Sequence, residues 1–160
     1  MGTSATTIQP YYPPVSFYFE VKIVGITTSG DSSFAEADGL EAELDVKQIS
    51  EGGENRFIHR LPDRAKHNNL ILKRGVMTAS SELAKWCKAT IETDFSSPLT
   101  TRDINVSLLN ENGNPLLVWT FSNAWPVKWS LAGLDSKKNE VALETLEFSY
   151  TYSTRAKGPA

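Results

Sequence analysis

The side chains best suited to chemistry are His59, His67 and Cys87, with Glu51 and Glu54 flanking the pair Gly52-Gly53. None of these builds a reaction centre. The two histidines stand eight residues apart with no cysteine nearby, which is not a zinc-ligand spacing. Cys87 is the chain's single cysteine and lacks any catalytic signature around it. It sits among apolar residues at helical spacing, as a packed thiol does. Glu51 and Glu54 form a carboxylate pair only in name, since acid–base work needs a pocket to hold them. Gly52-Gly53 is a turn rather than a phosphate cradle; the chain has neither a GxxxxGK[ST] loop nor a GxSxG elbow. Met1-Gly2-Thr3-Ser4-Ala5-Thr6 and Asn105-Val106-Ser107 match the myristoylation and glycosylation patterns, but both patterns are short and the second falls in an expected strand. No catalysis, cofactor or metal is expected.

Charge says more than nucleophiles do. From Asp31 to Glu54 there are eight acidic residues and one basic, a balance of −7; from Asn55 to Gly75 there are six basic and one acidic, a balance of +5. The two stretches can pair within one molecule. Between molecules they would make a head-to-tail contact, which closes into rings or runs on as filaments. The stretch 51–75 also lacks periodicity before Leu70. It is too long for an ordinary connection, and long ordered loops tend to be functional. Phe57, Ile58 and Leu61 would be left wet in a free loop, so an arm packing outside its own subunit is the favoured reading over a floppy surface loop.

The elements around that arm read as mostly β. Residues 1–14 are Thr/Ser/Pro-rich, and 1–13 are expected to be a flexible N-terminal arm. Phe17, Phe19, Val21 and Ile23 alternate with polar partners as a half-buried strand. A longer strand is expected over 34–49, with Leu40, Ala42, Leu44 and Val46 on one face and Glu41, Glu43 and Asp45 on the other, bent at Gly39. A short strand follows at 70–76. Thr78 to Glu82 reads as a helix start, and Leu83, Trp86, Cys87, Thr90 and Ile91 recur at helical spacing, leaving Glu82, Lys85, Lys88 and Glu92 opposite. Strands at 104–110 and 116–121 flank Asn112-Gly113, a hairpin signal. Alternation returns at 125–131 and 141–152. Trp119, Trp125 and Trp129 are expected as core aromatics, and 154–160 as a small polar C-terminal tail. The sum is about seven strands and one flanking helix, an antiparallel sandwich or barrel.

The net charge of −3 argues against bulk nucleic-acid binding, and the 40% hydrophobic content marks an ordinary globular chain of single-domain length. One cysteine means no intrachain disulfide and points to synthesis in a reducing compartment. No apolar run approaches the ~20 residues of a membrane helix, and no charged-then-apolar leader pattern opens the chain, so no membrane anchor is expected.

Glu51-Gly52-Gly53-Glu54-Asn55-Arg56-Phe57, with His59-Arg60-Leu61-Pro62, Leu70-Ile71-Leu72-Lys73-Arg74-Gly75 and Asn123-Ala124-Trp125-Pro126-Val127-Lys128-Trp129, resembles the phage tail-tube protein family. Its members are the tubes of T4-like contractile phages and the inner-tube proteins of contractile injection systems. Pro13 to Phe19 and Glu144 to Phe148 share the likeness, which spans about 13–153. It implies one tail-tube domain over 14–153, with six subunits joining strands into one inner β-barrel and rings stacking into a tube. Its partners would be further copies of itself, a contractile sheath, baseplate, spike and tube-initiator proteins, a terminator cap, and cargo or DNA in the lumen. Assembly would take place in the bacterial cytoplasm, with release by lysis. The region 47–69 would be the inter-subunit arm, with Glu51, Gly52, Gly53, Glu54, Asn55, Arg56, Phe57, Arg60 and Arg64 as its contacts. Glu41, Glu43 and Asp45 would line the lumen, and Glu82, Lys85 and Lys88 would face the sheath. A tube-initiator subunit of the same fold, or a monomeric β-barrel ligand carrier, are the alternatives.

Overall fold

Apolar–polar alternation becomes paired strand along most of the chain. The computed structural model describes residues 18–27, 31, 33–49, 53, 58–76, 81–92, 98–132 and 141–158. Along the chain run β1 (Phe19–Ile23), β2 (Glu36–Asp38), β3 (Glu43–Ile49), β4 (His59–Lys66), β5 (Leu70–Gly75), helix α1 (Glu82–Ile91), β6 (Arg102–Leu109), β7 (Pro115–Leu131), β8 (Leu143–Ser149) and β9 (Tyr152–Lys157). All pairings are antiparallel.

Two four-stranded sheets share β7. Its first half lies between β6 and β9, and its second half pairs with β8. The first sheet is ordered β1-β6-β7-β9 and the second β2-β5-β8-β7. The changeover falls at Asn123, held at φ 53° with its N–H donating to Asp103 Oδ1 at 2.9 Å. Asparagine tolerates this left-handed backbone better than most residues. The runs expected as separate strands at 116–121 and 125–131 are therefore one bent strand. The hairpin expected at Asn112-Gly113 joins β6 to β7, with Gly113 at φ 80°.

The core lies between the sheets. Val21, Ile23, Leu70, Leu72, Ile104, Val106, Phe121, Leu146 and Phe148 fill it from alternate strand positions. Helix α1 closes one side with Leu83, Trp86 and Cys87. Trp86 stacks on Phe148 with ring centroids 5.7 Å apart and donates its Nε1–H to the Thr100 carbonyl at 2.9 Å. The N-cap is Ser81, whose Oγ accepts from the Ala84 N–H at 3.1 Å. Fully burying a Leu or Phe is worth about 1.5–3 kcal/mol, so this cluster is the main source of stability.

A charged cluster is buried beside that core. Arg74, Asp31 and Glu144 are each no more than 3% exposed. Arg74 Nε donates to Glu144 Oε1, and its Nη1 lies 3.4 Å from Asp31 Oδ1. Asp31 also accepts from the Ser81 hydroxyl and from the Leu83 N–H at the helix start. The second oxygen of Glu144 accepts from Trp129 Nε1 at 2.9 Å. Two carboxylates against one guanidinium leave a net negative charge, offset by the helix N-terminus and these N–H and O–H donors. The cluster ties α1 to β5, β7 and β8.

Four expectations change. The strand expected over 34–49 breaks at Gly39 (φ 84°), where a Cβ would run into the Asn69 carbonyl oxygen. The region read as irregular before Leu70 contains strand β4. The polar tail expected at 154–160 is paired strand through Lys157. The strand total is nine among the described residues, not about seven. The N-terminal arm expected at 1–13 and the helix-start residues Thr78 to Ser80 lie outside the described residues.

Candidate assembly surfaces

β3 and β4 form a two-stranded ribbon that is exposed along its full length on both faces. It continues the β2–β5 pair. Glu36 stands opposite Lys73 and Glu43 opposite Lys66: seven residues on along one strand, seven back along the other. The register shifts by one between Leu44 and Val46. At about 3.4 Å per residue the ribbon extends roughly 24 Å from the body. Leu44, Val46, Ile49 and Leu61 are 40–57% exposed on it, and Ile58, just before β4, is exposed as well. Apolar residues in that number on one projecting element mark a contact surface.

Of the expected arm contacts, Arg60 and Arg64 lie exposed on β4 and Gly53 is an exposed turn residue at φ 106°. Glu51, Gly52, Glu54, Asn55, Arg56 and Phe57 lie outside the described residues. The expected lumen residues Glu41, Glu43 and Asp45 are all exposed. Leu40 packs against the core; Glu43 and Asp45 share one face of β3, and Glu41 precedes that strand. The expectation that residues 40–46 pack one face inward fails beyond Leu40, because Leu44 and Val46 are as exposed as their charged neighbours. Part of the charge contrast is spent inside the molecule: Glu43 pairs with Lys66 at 3.6 Å and Glu41 accepts from Asn68. Exposed pairs of this kind contribute little, at most about 1 kcal/mol.

Glu82, Lys85 and Lys88 recur at three-residue spacing on the exposed face of α1, with Glu92 3.7 Å from Lys88. On the opposite face Cys87 is fully buried, and burial pushes its thiol up to about 12. A thiol so suppressed is no nucleophile. Beside Glu36, Lys73 carries a raised pKa, because its ammonium is hydrogen-bonded to that carboxylate at 2.5 Å.

One surface escaped sequence reading. The second half of β7 has β8 on one side and no described strand on the other. Val127, Trp129 and Leu131 are 38–49% exposed along it, with Val76 and Val141 exposed at the same end. The tryptophans expected in the core are therefore only half-buried at Trp119 and Trp125 and exposed at Trp129; Trp86 is the buried one. The signal was present, since alternation at an edge strand looks the same as alternation in a covered one.

No group of three or more His, Cys, Asp or Glu side chains capable of holding a metal occurs among the described residues. A groove of about 430 Å³ opens between β2 and the β1–β6–β7 side, with Phe19, Val106, Leu108 and Trp119 on its wall and Glu36 and Asp38 at its rim.

Among the described residues the architecture is a two-sheet sandwich with one helix and a projecting ribbon. The sequence model described as T4-like virus tail tube protein gp19 matches residues 15–154, and the chain belongs to that family. Solved structures agree. A chain of the anti-feeding prophage (AFP) baseplate is 31% identical, with 92% of this chain and 98% of that one aligned at a TM-score of 0.79. A chain in the AFP tube-terminating cap is 26% identical, covering 98% and 99%, at 0.76. A chain in the sheath–tube complex of the extracellular contractile injection system PVC shares the fold at 23% identity, covering 98% and 99%, with a TM-score of 0.75. No curated protein sequence matches. The protein is thus a member of the tail-tube family, as the resemblance implied.

Proposed function

We propose that the chain is the main subunit of an inner tube, forming six-membered rings that stack head-to-tail inside a contractile sheath. The tube runs from a baseplate to a terminating cap and conducts cargo when contraction drives it through a target envelope. The observation that carries this reading is the β3–β4 ribbon. It projects about 24 Å, exposes apolar residues on strands that leave their own body, and carries Arg60 and Arg64. A monomer gains nothing from such an element; a subunit that must reach its neighbours does. Catalysis plays no part, and no cofactor is needed. The ribbon side bearing Glu41, Glu43 and Asp45 faces the lumen, where negative charge lets polyanionic cargo slide without sticking. Glu82, Lys85 and Lys88 on α1 face the sheath. Assembly takes place in the bacterial cytoplasm, and the particle leaves by lysis.

Deleting residues 52–62 tests the role of the ribbon. The expected product is a folded monomer by circular dichroism and sedimentation, with no tube in electron micrographs. Tubes of normal length from the deletion would overturn it. A tube-initiator role has one observation in its favour, the 31% identity to a chain of the AFP baseplate. An initiator would stop at single rings, whereas the main subunit elongates.

A further inference from the structure

The groove between β1 and β2 is the open side of the sandwich. These two strands end the path β1-β6-β7-β8-β5-β2, so no described strand joins them. Phe19, Ala37, Leu40 and Trp119 pack against the core there and yet remain only partly buried. Together with Val106 and Leu108 they wall the groove of about 430 Å³, which lies in the range of ligand-sized pockets. The Arg155 guanidinium sits over the Trp119 ring, 5.4 Å from its centroid, and helps to fix that indole. We infer that this groove is the seat of the chain's own segment Pro10-Tyr11-Tyr12-Pro13-Pro14-Val15, docked on the subunit to which it belongs.

The chemistry of the two surfaces matches. Aromatic-lined grooves take Pro-x-x-Pro segments, because proline pre-sets an extended helix and little freedom is lost on docking. Pro10-Tyr11-Tyr12-Pro13 has that spacing, and Pro14 prolongs it. The two tyrosines bring large rings to set against Phe19 and Trp119, and hydroxyls that can donate to the rim carboxylates of Glu36 and Asp38. Residues 1–17 hold no acidic side chain, so those carboxylates repel nothing on the segment.

Reach and position match as well. The described chain starts at Tyr18, whose carbonyl accepts from the Leu109 N–H at 2.8 Å. The next residue, Phe19, stands opposite Leu108, and both belong to the groove wall. The segment therefore enters at the groove itself. Tyr11 precedes Tyr18 by seven residues, a span of at most about 24 Å, enough to turn and lie along the groove. So short a tether gives an effective concentration on the order of millimolar, so that even weak docking is populated. The seat lies within one subunit and needs no neighbour to form it.

Hydroxyl-radical footprinting read by mass spectrometry at each tryptophan tests the docking. Wild type and a Tyr11→Ser/Tyr12→Ser chain are compared at matched concentration in fractions of equal sedimentation coefficient. The double variant is expected to oxidise several-fold faster at Trp119, with Trp129 unchanged. Trp86, 6% exposed, stays protected as long as the chain is folded. A second chain lacking residues 1–13 is expected to oxidise at Trp119 in the same way, and a peptide of residues 8–16 at about millimolar concentration to restore protection. Equal oxidation of Trp119 in wild type and both variants, or a truncated chain that the peptide leaves unprotected, would overturn the docking. Protection of wild-type Trp119 found only in assembled fractions would hand the segment to a neighbouring copy and overturn it too.

Discussion

Arg74 is the residue on which the body of the subunit turns. Its guanidinium bridges Glu144 and Asp31 at 1% exposure. Arg74→Ala leaves two buried carboxylates without their cation and is expected to cost about 3–5 kcal/mol in urea unfolding. Lys73→Ala, one residue away on an exposed pair with Glu36, should leave the midpoint nearly unmoved. Equal, small shifts for both would show that the buried cluster does not hold the helix to the sheets. This cluster was legible in principle. Arg74 falls in phase with Leu70 and Leu72, and Glu144 in phase with Leu146 and Phe148, so opposite charges occupy two inward-facing strand positions. Asp31 was not legible, because its partner Ser81 lies fifty residues on and nothing local links them.

At the scale of elements, alternation located the strands that have one buried face and failed for those that have none. β1, β5 and β8 alternate and were readable. β4 carries Pro62 amid charges, and β9 reads Tyr-Ser-Thr-Arg-Ala-Lys; both are strands because a neighbour supplies a backbone ladder, not because of their side chains. The helix was readable from its period and cap. The break between β2 and β3 depends on Gly39, the position that turns the ribbon out of the body. Gly39→Ala would place a Cβ against Asn69 at φ 84°, and is expected to destabilise the fold by at least about 1 kcal/mol. An unchanged denaturation midpoint would mean that the bend is loosely held. The strand character of β4 and the continuity of β3 and β4 with β2 and β5 emerge only from the register.

At the scale of the molecule, exposed apolar residues lie on two edges on opposite sides of the chain. Leu44 and Val46 on one edge, and Val127, Trp129 and Leu131 on the other, are exposed in the single chain, and the proposed tube would cover such surfaces by a heterologous contact. A heterologous contact of this kind must close or propagate, and a closed ring is also the way to remove sheet edges altogether. The charge contrast between residues 31–54 and 55–75 pointed to head-to-tail contact, although some of that charge turns out to be paired within the ribbon. Electron microscopy of the purified chain across a range of concentrations tests the central claim most directly. Rings with six-fold symmetry, stacking into hollow tubes, are the predicted result. A chain that stays monomeric at every concentration, with and without baseplate components to start it, would contradict the account.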